Sequence, residues 1–109
     1  MSRTYHVCYS DESINDLRNI FIYIASNLQS PDYAKAQIDR IRSAVKKLQH
    51  FPKKNPTVSF EPWTSLEMRR LNVDNYAVLY LVDDDHDRVE IIRIPYGAMD
   101  FESVLEDDA

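Results

Sequence analysis

The spacing of hydrophobic positions changes period along this chain, and each change marks an element. Residues 4–9 alternate Tyr5, Val7 and Tyr9 against His6 and Cys8, the two-residue period of a strand. Ser10 then suits a helix N-cap, with Asp11 and Glu12 in the first turn, where acids favour the helix dipole. Ile14, Leu17, Phe21, Ile24 and Leu28 follow at steps of three and four, one continuous helical stripe. Ser30 and Pro31 restart the chain as N-cap and first helical residue. Ala34, Ile38, Ile41, Val45 and Leu48 form a second stripe of matching length, and Phe51-Pro52 ends it. Two stripes with so short a connection predict an antiparallel helical hairpin. The core expected from them is Ile14, Leu17, Phe21, Ile24, Ile38, Ile41, Val45 and Leu48.

Residues 53–64 carry Pro56 and Pro62 and no periodicity, so they read as a loop. Strands are predicted over residues 66–73, 75–82 and 89–94. The first has mixed parity, which suggests a bulge near Arg69 and Arg70. The second sets Tyr76, Val78, Tyr80 and Val82 on one face and Ala77, Leu79 and Leu81 on the other. Both faces are apolar and call for cover. The polar residues 83–87 make a reversal. Asp100 caps a final short helix carrying Phe101, Val104 and Leu105, and residues 106–109 are an acidic tail expected to fray. The fold class is α+β: a helical hairpin packed on an antiparallel sheet of about four strands, in the order β-α-α-β-β-β plus a short C-terminal helix. Residues 1–109 are expected to form a single domain.

Composition narrows the chemistry. A length of 109 residues suits one modest core. The one glycine, Gly97, rules out a glycine-rich phosphate loop, and no apolar run approaches a membrane span. The lone Cys8 fits a reducing, cytoplasmic setting. His6, His50, His86 and Cys8 show no ligand spacing, so neither a metal nor a cofactor is expected. Net charge is −5 but uneven: residues 35–54 hold seven cations against one acid, and residues 83–109 hold ten acids against two arginines. That balance disfavours tight nucleic-acid binding, which draws on neutralised phosphates.

The order of elements and a set of spaced residues resemble the RelE/ParE family of bacterial toxins. The residues are Tyr9-Ser10, Leu17, Ile20, Tyr23-Ile24-Ala25, Ala34 to Ile41, Ala44-Val45, Leu48 and Phe51-Pro52. They continue with Arg70-Leu71, Val73, Tyr76, Val78, Tyr80, Val82, Val89, Ile91, Arg93-Ile94, Tyr96-Gly97 and Asp100. The resemblance covers almost the whole chain. It implies the toxin of a type II toxin–antitoxin operon, held inactive by a cognate antitoxin. One branch of the family cleaves messenger RNA on the ribosome, and the other poisons DNA gyrase.

Metal-free RNA cleavage needs a base, cations around the phosphate and an acid. By resemblance the candidates are Arg69, Arg70, Arg93 and Tyr96, catalytic only if the chain is a nuclease, with Lys53 and Lys54 nearby. Three features depart from that branch: Asn72 and the pair Ala98-Met99 stand where relatives carry arginines, and acids fill the turn at 83–87. The helical hairpin resembles the ParE side, implying a toxin that binds a protein target such as gyrase. A ribosome-dependent mRNA interferase is the alternative, and a non-toxic interaction module of the same fold is a third. For the target, the candidates are Lys46, Lys47, Lys53, Lys54 and Trp63. For the antitoxin they are Tyr80, Phe101, Val104 and Leu105, in an apolar groove expected on the sheet face left open by the helices and along residues 101–105, filled by an antitoxin segment with a helix and an added strand. The same surface allows a homodimer when the antitoxin is absent. Beside these stand blander readings: surface strand arginines paired with acids, a packing tyrosine at position 96, solvated lysines, and Trp63 packed over the hairpin.

Overall fold

The computed structural model describes residues 3–106. Residues 107–109 of the expected acidic tail lie outside the described residues. The chain runs β1 (His6–Tyr9), α1 (Asp11–Asn27), α2 (Pro31–Lys46), a 3₁₀ turn (Lys47–Gln49), β2 (Arg69–Val73), β3 (Tyr76–Asp83), β4 (Arg88–Arg93) and α3 (Phe101–Glu106). This is the β-α-α-β-β-β order with a terminal helix. The sheet order is β1-β4-β3-β2. The β2-β3-β4 meander is antiparallel, but β1 pairs parallel to β4, from His6 opposite Arg88 to Tyr9 opposite Ile91. The sheet is therefore mixed rather than wholly antiparallel. The hairpin intervenes between β1 and the meander and returns the chain to the same end of the sheet.

Local chemistry sets the helix starts. Ser10 Oγ accepts from the Ser13 amide at 3.0 Å and donates to the Ile92 carbonyl at 2.8 Å, so the cap of α1 is also tied to β4. Ser30 Oγ caps α2 by accepting from the Tyr33 amide, with Pro31 in the first turn. Asp74, in the turn between β2 and β3, accepts from Gln37 and Arg40 and fastens α2 to the sheet.

Burial corrects the inner face of α1. Leu17 and Ile24 are buried as expected, but their companions are Ser13 and Ile20, while Ile14 and Phe21 are exposed. The stripe turned inward is Ser13, Leu17, Ile20, Ile24; Ile14 and Phe21 stand on its outer flank beside Ile38. In α2, Ile41 and Val45 are buried and Ile38 is partly so; Leu48, in the 3₁₀ turn, is buried.

The two faces of β3 separate as the alternation demands. Val78 and Tyr80 join the helices, with Val89 and Ile91, in the larger core. Ala77 and Leu79 join Val58, Met68, Phe101 and Leu105 in a second core, with Phe60, Trp63, Leu81 and Ile92 packed against it. The second face is thus covered by the loop before β2 and by α3, not left as an open groove. The register break lies between β3 and β4, where Leu79 pairs with Arg93 and Tyr80 with Ile91, rather than at Arg69 and Arg70. No helix among the described residues is long and apolar enough to cross a membrane.

Candidate functional site

Beyond the end of β1, strand β4 loses its neighbour, and α1 crosses the gap. There a cleft of about 570 Å³ opens between α1, the start of β3, the chain leaving β4, and α3. Asn19, Ile20 and Tyr23 form one wall, Tyr76, Pro95 and Tyr96 another, and Met99 and Val104 a third. Tyr23, Tyr96 and Met99 are exposed. Tyr76 and Tyr96 meet edge to face, centroids 6.0 Å apart and rings at 89°. Backbone bonds hold them: Ala77 N–H to Pro95 O at 3.0 Å and Gly97 N–H to Asn75 O at 2.7 Å. Gly97 is pinned by that approach, since a Cβ there would stand 3.2 Å from the Asn75 oxygen. Burial pushes the Tyr76 hydroxyl above the usual tyrosine value, with the neighbouring tyrosines adding to it. At neutral pH it is a protonated phenol, suited to packing and hydrogen bonding rather than to accepting a proton.

Under the cleft, Asp16 of α1 takes Arg93 in a two-pronged pair, Nε at 2.8 Å and Nη2 at 3.0 Å. Its carboxylate also accepts from the Ile94 amide at 2.8 Å, and Arg93 Nη1 donates to the Val104 carbonyl at 3.2 Å. One arginine thereby joins α1, β4 and α3. Such planar, bidentate pairing is what guanidinium geometry favours.

The four nuclease candidates do not all converge. Arg93 is engaged by Asp16 with its side chain 20% exposed. Arg69 donates to the carbonyls of Lys53 and Asn55, at 3.2 and 2.6 Å, and so fastens the loop before β2. Arg70 bonds Asn72 at 2.7 Å and lies over the Phe101 ring, 4.6 Å from its centre. Arg93 and Tyr96 both line the cleft, and Arg70 approaches the same segment at Gly97, where a Cβ would stand 4.0 Å from Arg70 Nη2.

The residues expected to meet an antitoxin are drawn inward. Tyr80 is buried, with its hydroxyl donating to Pro52 O at 2.6 Å and accepting from Asn55 at 3.0 Å. Leu105 and Phe101 fill the second core, and Val104 alone reaches the cleft. Among the expected target contacts, Lys53 pairs with Asp84 at 2.5 Å and Trp63 packs into the second core, half-buried. Lys46, Lys47 and Lys54 are exposed. The pattern missed Asp16, Asn19, Tyr23 and Met99. A signal existed for the first: Ser13, Asp16, Ile20 and Tyr23 share one helical stripe, so a charge stood on the inward flank of α1. Among the described residues, no group of three or more His, Cys, Asp or Glu side chains is arranged to hold a metal ion.

Several relatives share this architecture. The chain is similar to a toxin of the chromosomal ParDE system of P. aeruginosa, at 20% identity and a TM-score of 0.70 over 85% of this chain and 96% of that one. It is similar to a chain of the RelBE2 toxin–antitoxin complex of Mycobacterium tuberculosis, at 20% identity and 0.61 over 89% and 95%. It also resembles a mutant of the E. coli toxin RelE in its free state, at 12% identity and 0.65 over 97% and 94%. These likenesses concern the fold. No curated protein sequence matches the chain significantly. The family model for the ParE toxin of the type II toxin–antitoxin system parDE matches residues 7–101. Spanning all but the ends of the chain, that match places it in its family: the protein belongs to the ParE toxins of type II toxin–antitoxin systems.

Proposed function

We propose that this toxin inhibits growth by binding a protein target, DNA gyrase, and that a cognate antitoxin keeps it inactive by masking its surface. The observation that carries the reading is the state of its arginines. Stabilising the charge of a cleaved phosphate calls for cations aimed at an open site. Arg93 instead neutralises Asp16, and Arg69 is spent on loop carbonyls. What the cleft offers is exposed tyrosine and methionine surface, the kind of side chain that dominates binding energy at protein interfaces. The neighbouring folds from P. aeruginosa and M. tuberculosis come from toxin–antitoxin systems, which supports an antitoxin partner here.

A ribosome-dependent interferase is the second reading, favoured by the approach of Arg70 to the Tyr96-Gly97 segment. Induced expression with parallel readouts of plasmid supercoiling, transcript cleavage and translation separates the two. The expected result is loss of negative supercoiling with intact transcripts. Ribosome-dependent cuts abolished by Arg70→Ala would overturn the gyrase reading and leave the family assignment standing.

A further inference from the structure

Residues 40–60 carry six cations, Arg40, Arg42, Lys46, Lys47, Lys53 and Lys54, and no aspartate or glutamate. Two of the six are answered from elsewhere in the fold: Asp74 takes Arg40 and Asp84 takes Lys53. Among the described residues Lys47 and Lys54 form no ion pair, and both are exposed. Between them stands Phe51. At 69% it is the most exposed large hydrophobic side chain among the described residues, and only the adjacent His50 ring meets it, edge-on at 6.4 Å.

This exposure does not come from slack in the chain. On one side the His50 amide donates to Lys47 O at 3.2 Å, closing the 3₁₀ turn over buried Leu48, and Gln49 O accepts from the Tyr5 amide at 2.8 Å. On the other side Pro52 is buried and its carbonyl accepts from the Tyr80 hydroxyl at 2.6 Å. The carbonyls of Lys53 and Asn55 both accept from Arg69. An aromatic ring presented from so well anchored a backbone gives up little conformational freedom when a partner covers it. The surface also lies far from the tyrosine cleft. Tyr76 lines that cleft at the start of β3, whereas Asp84, which holds Lys53, follows the end of β3, roughly 25 Å along the strand.

We propose that Phe51, flanked by Lys47 and Lys54, is a second docking point for the toxin's protein target and takes an acidic segment whose apolar side chains close over the ring. The identity of that target rests on the function proposed above; the acidic chemistry rests on the cations themselves. An exposed aromatic side chain is the kind of anchor that dominates an interface, and the lysines around it select for carboxylates and speed encounter. A second copy of the chain is a poor occupant. Its acidic hollow is rimmed by Asp83, Asp84, Asp85 and Glu90, and all but Asp85 are already paired, with His86, Lys53 and Arg88. A nucleic acid is opposed by the net charge of −5.

The test compares the parent chain with Phe51→Ala and with Lys47→Glu combined with Lys54→Glu, all at exposed positions. Binding to purified DNA gyrase holoenzyme is measured at rising salt, beside circular dichroism and Tm. Each variant is expected to bind about tenfold or more weakly with its fold and Tm unchanged, and the lysine variant to lose most of the salt dependence. Gyrase binding equal to that of the parent would overturn the inference and leave the gyrase reading intact. If the parent itself does not bind gyrase, that reading fails, and a titration of the isotope-labelled chain decides the inference alone. The probe is a peptide of about eight residues, glutamates around a central pair of leucines, with the lysine counterpart and an oligothymidylate as comparators. Shifts centred on the His50, Phe51 and Lys54 amides sustain it. An equal response to the lysine peptide, displacement by oligothymidylate, shifts confined to other surfaces or no shifts overturn it. Self-association lost in Phe51→Ala, read by sedimentation, would assign the patch to a second copy and overturn it as well.

Discussion

Removing Asp16 while leaving Arg93 in place isolates what that pair contributes. The Asp16 side chain is 11% exposed and that of Arg93 20%, so the pair is mostly withdrawn from water. Breaking a fully buried pair by deleting one partner costs roughly 3–5 kcal/mol, because the remaining charge is stranded. Here Arg93 keeps its bond to the Val104 carbonyl, and its residual exposure lowers the figure. Against that, the Ile94 amide loses its acceptor, which costs about 1 kcal/mol. Asp16→Ala should therefore destabilise by about 3 kcal/mol, a fall in Tm of roughly 10–20 °C for a domain of this size. Urea and thermal unfolding followed by circular dichroism measure it directly. Asp16→Ala combined with Arg93→Met, which removes the stranded charge and keeps the packing, should recover about 1 kcal/mol or more over the sum of the single changes. An Asp16→Ala protein within about 0.5 kcal/mol of the parent would refute the structural role. If Arg93→Ala then still abolished toxicity, Arg93 would have to be assigned to function instead.

Two further outcomes follow from local chemistry. Tyr80→Phe removes a buried hydroxyl that serves both Pro52 O and Asn55, so it should cost about 1–2 kcal/mol in urea unfolding; an unchanged midpoint would mean that this hydroxyl does not help to hold the loop before β2. In acid, the Arg40 guanidinium holds the Asp74 carboxyl below its ordinary 3.8, and the Lys53 ammonium does the same for Asp84. A carboxyl lowered in the folded state contributes stability that is full above the unfolded value and lost as pH falls through the folded one. Tm should thus decline below about pH 4, with a shallower decline for Asp74→Asn combined with Asp84→Asn. Parallel profiles for parent and variant would remove these two carboxyls from the acid response.

What the sequence determined is what neighbours in the chain determine. Ser10, Ser30 and Pro31 start the helices because a cap bond closes within three residues. The alternation in residues 76–82 assigns Val78 and Tyr80 to one side of the sheet and Ala77 and Leu79 to the other, since the strand period is fixed by backbone geometry. The ordered set of motifs carried the family. Tertiary structure decided everything that required a distant partner. Asp16 and Arg93 lie 77 residues apart in the chain, and no local pattern pairs them. Three-and-four spacing allowed two faces of α1, and the groove against β4 and α2 selected the one carrying Ser13 and Ile20. The aperiodic loop before β2 showed no element of its own, yet Val58, Phe60 and Trp63 close the second sheet face with α3. Parallel pairing of β1 with β4 was likewise invisible in the pattern, because register and strand order are settled by packing and not by propensity.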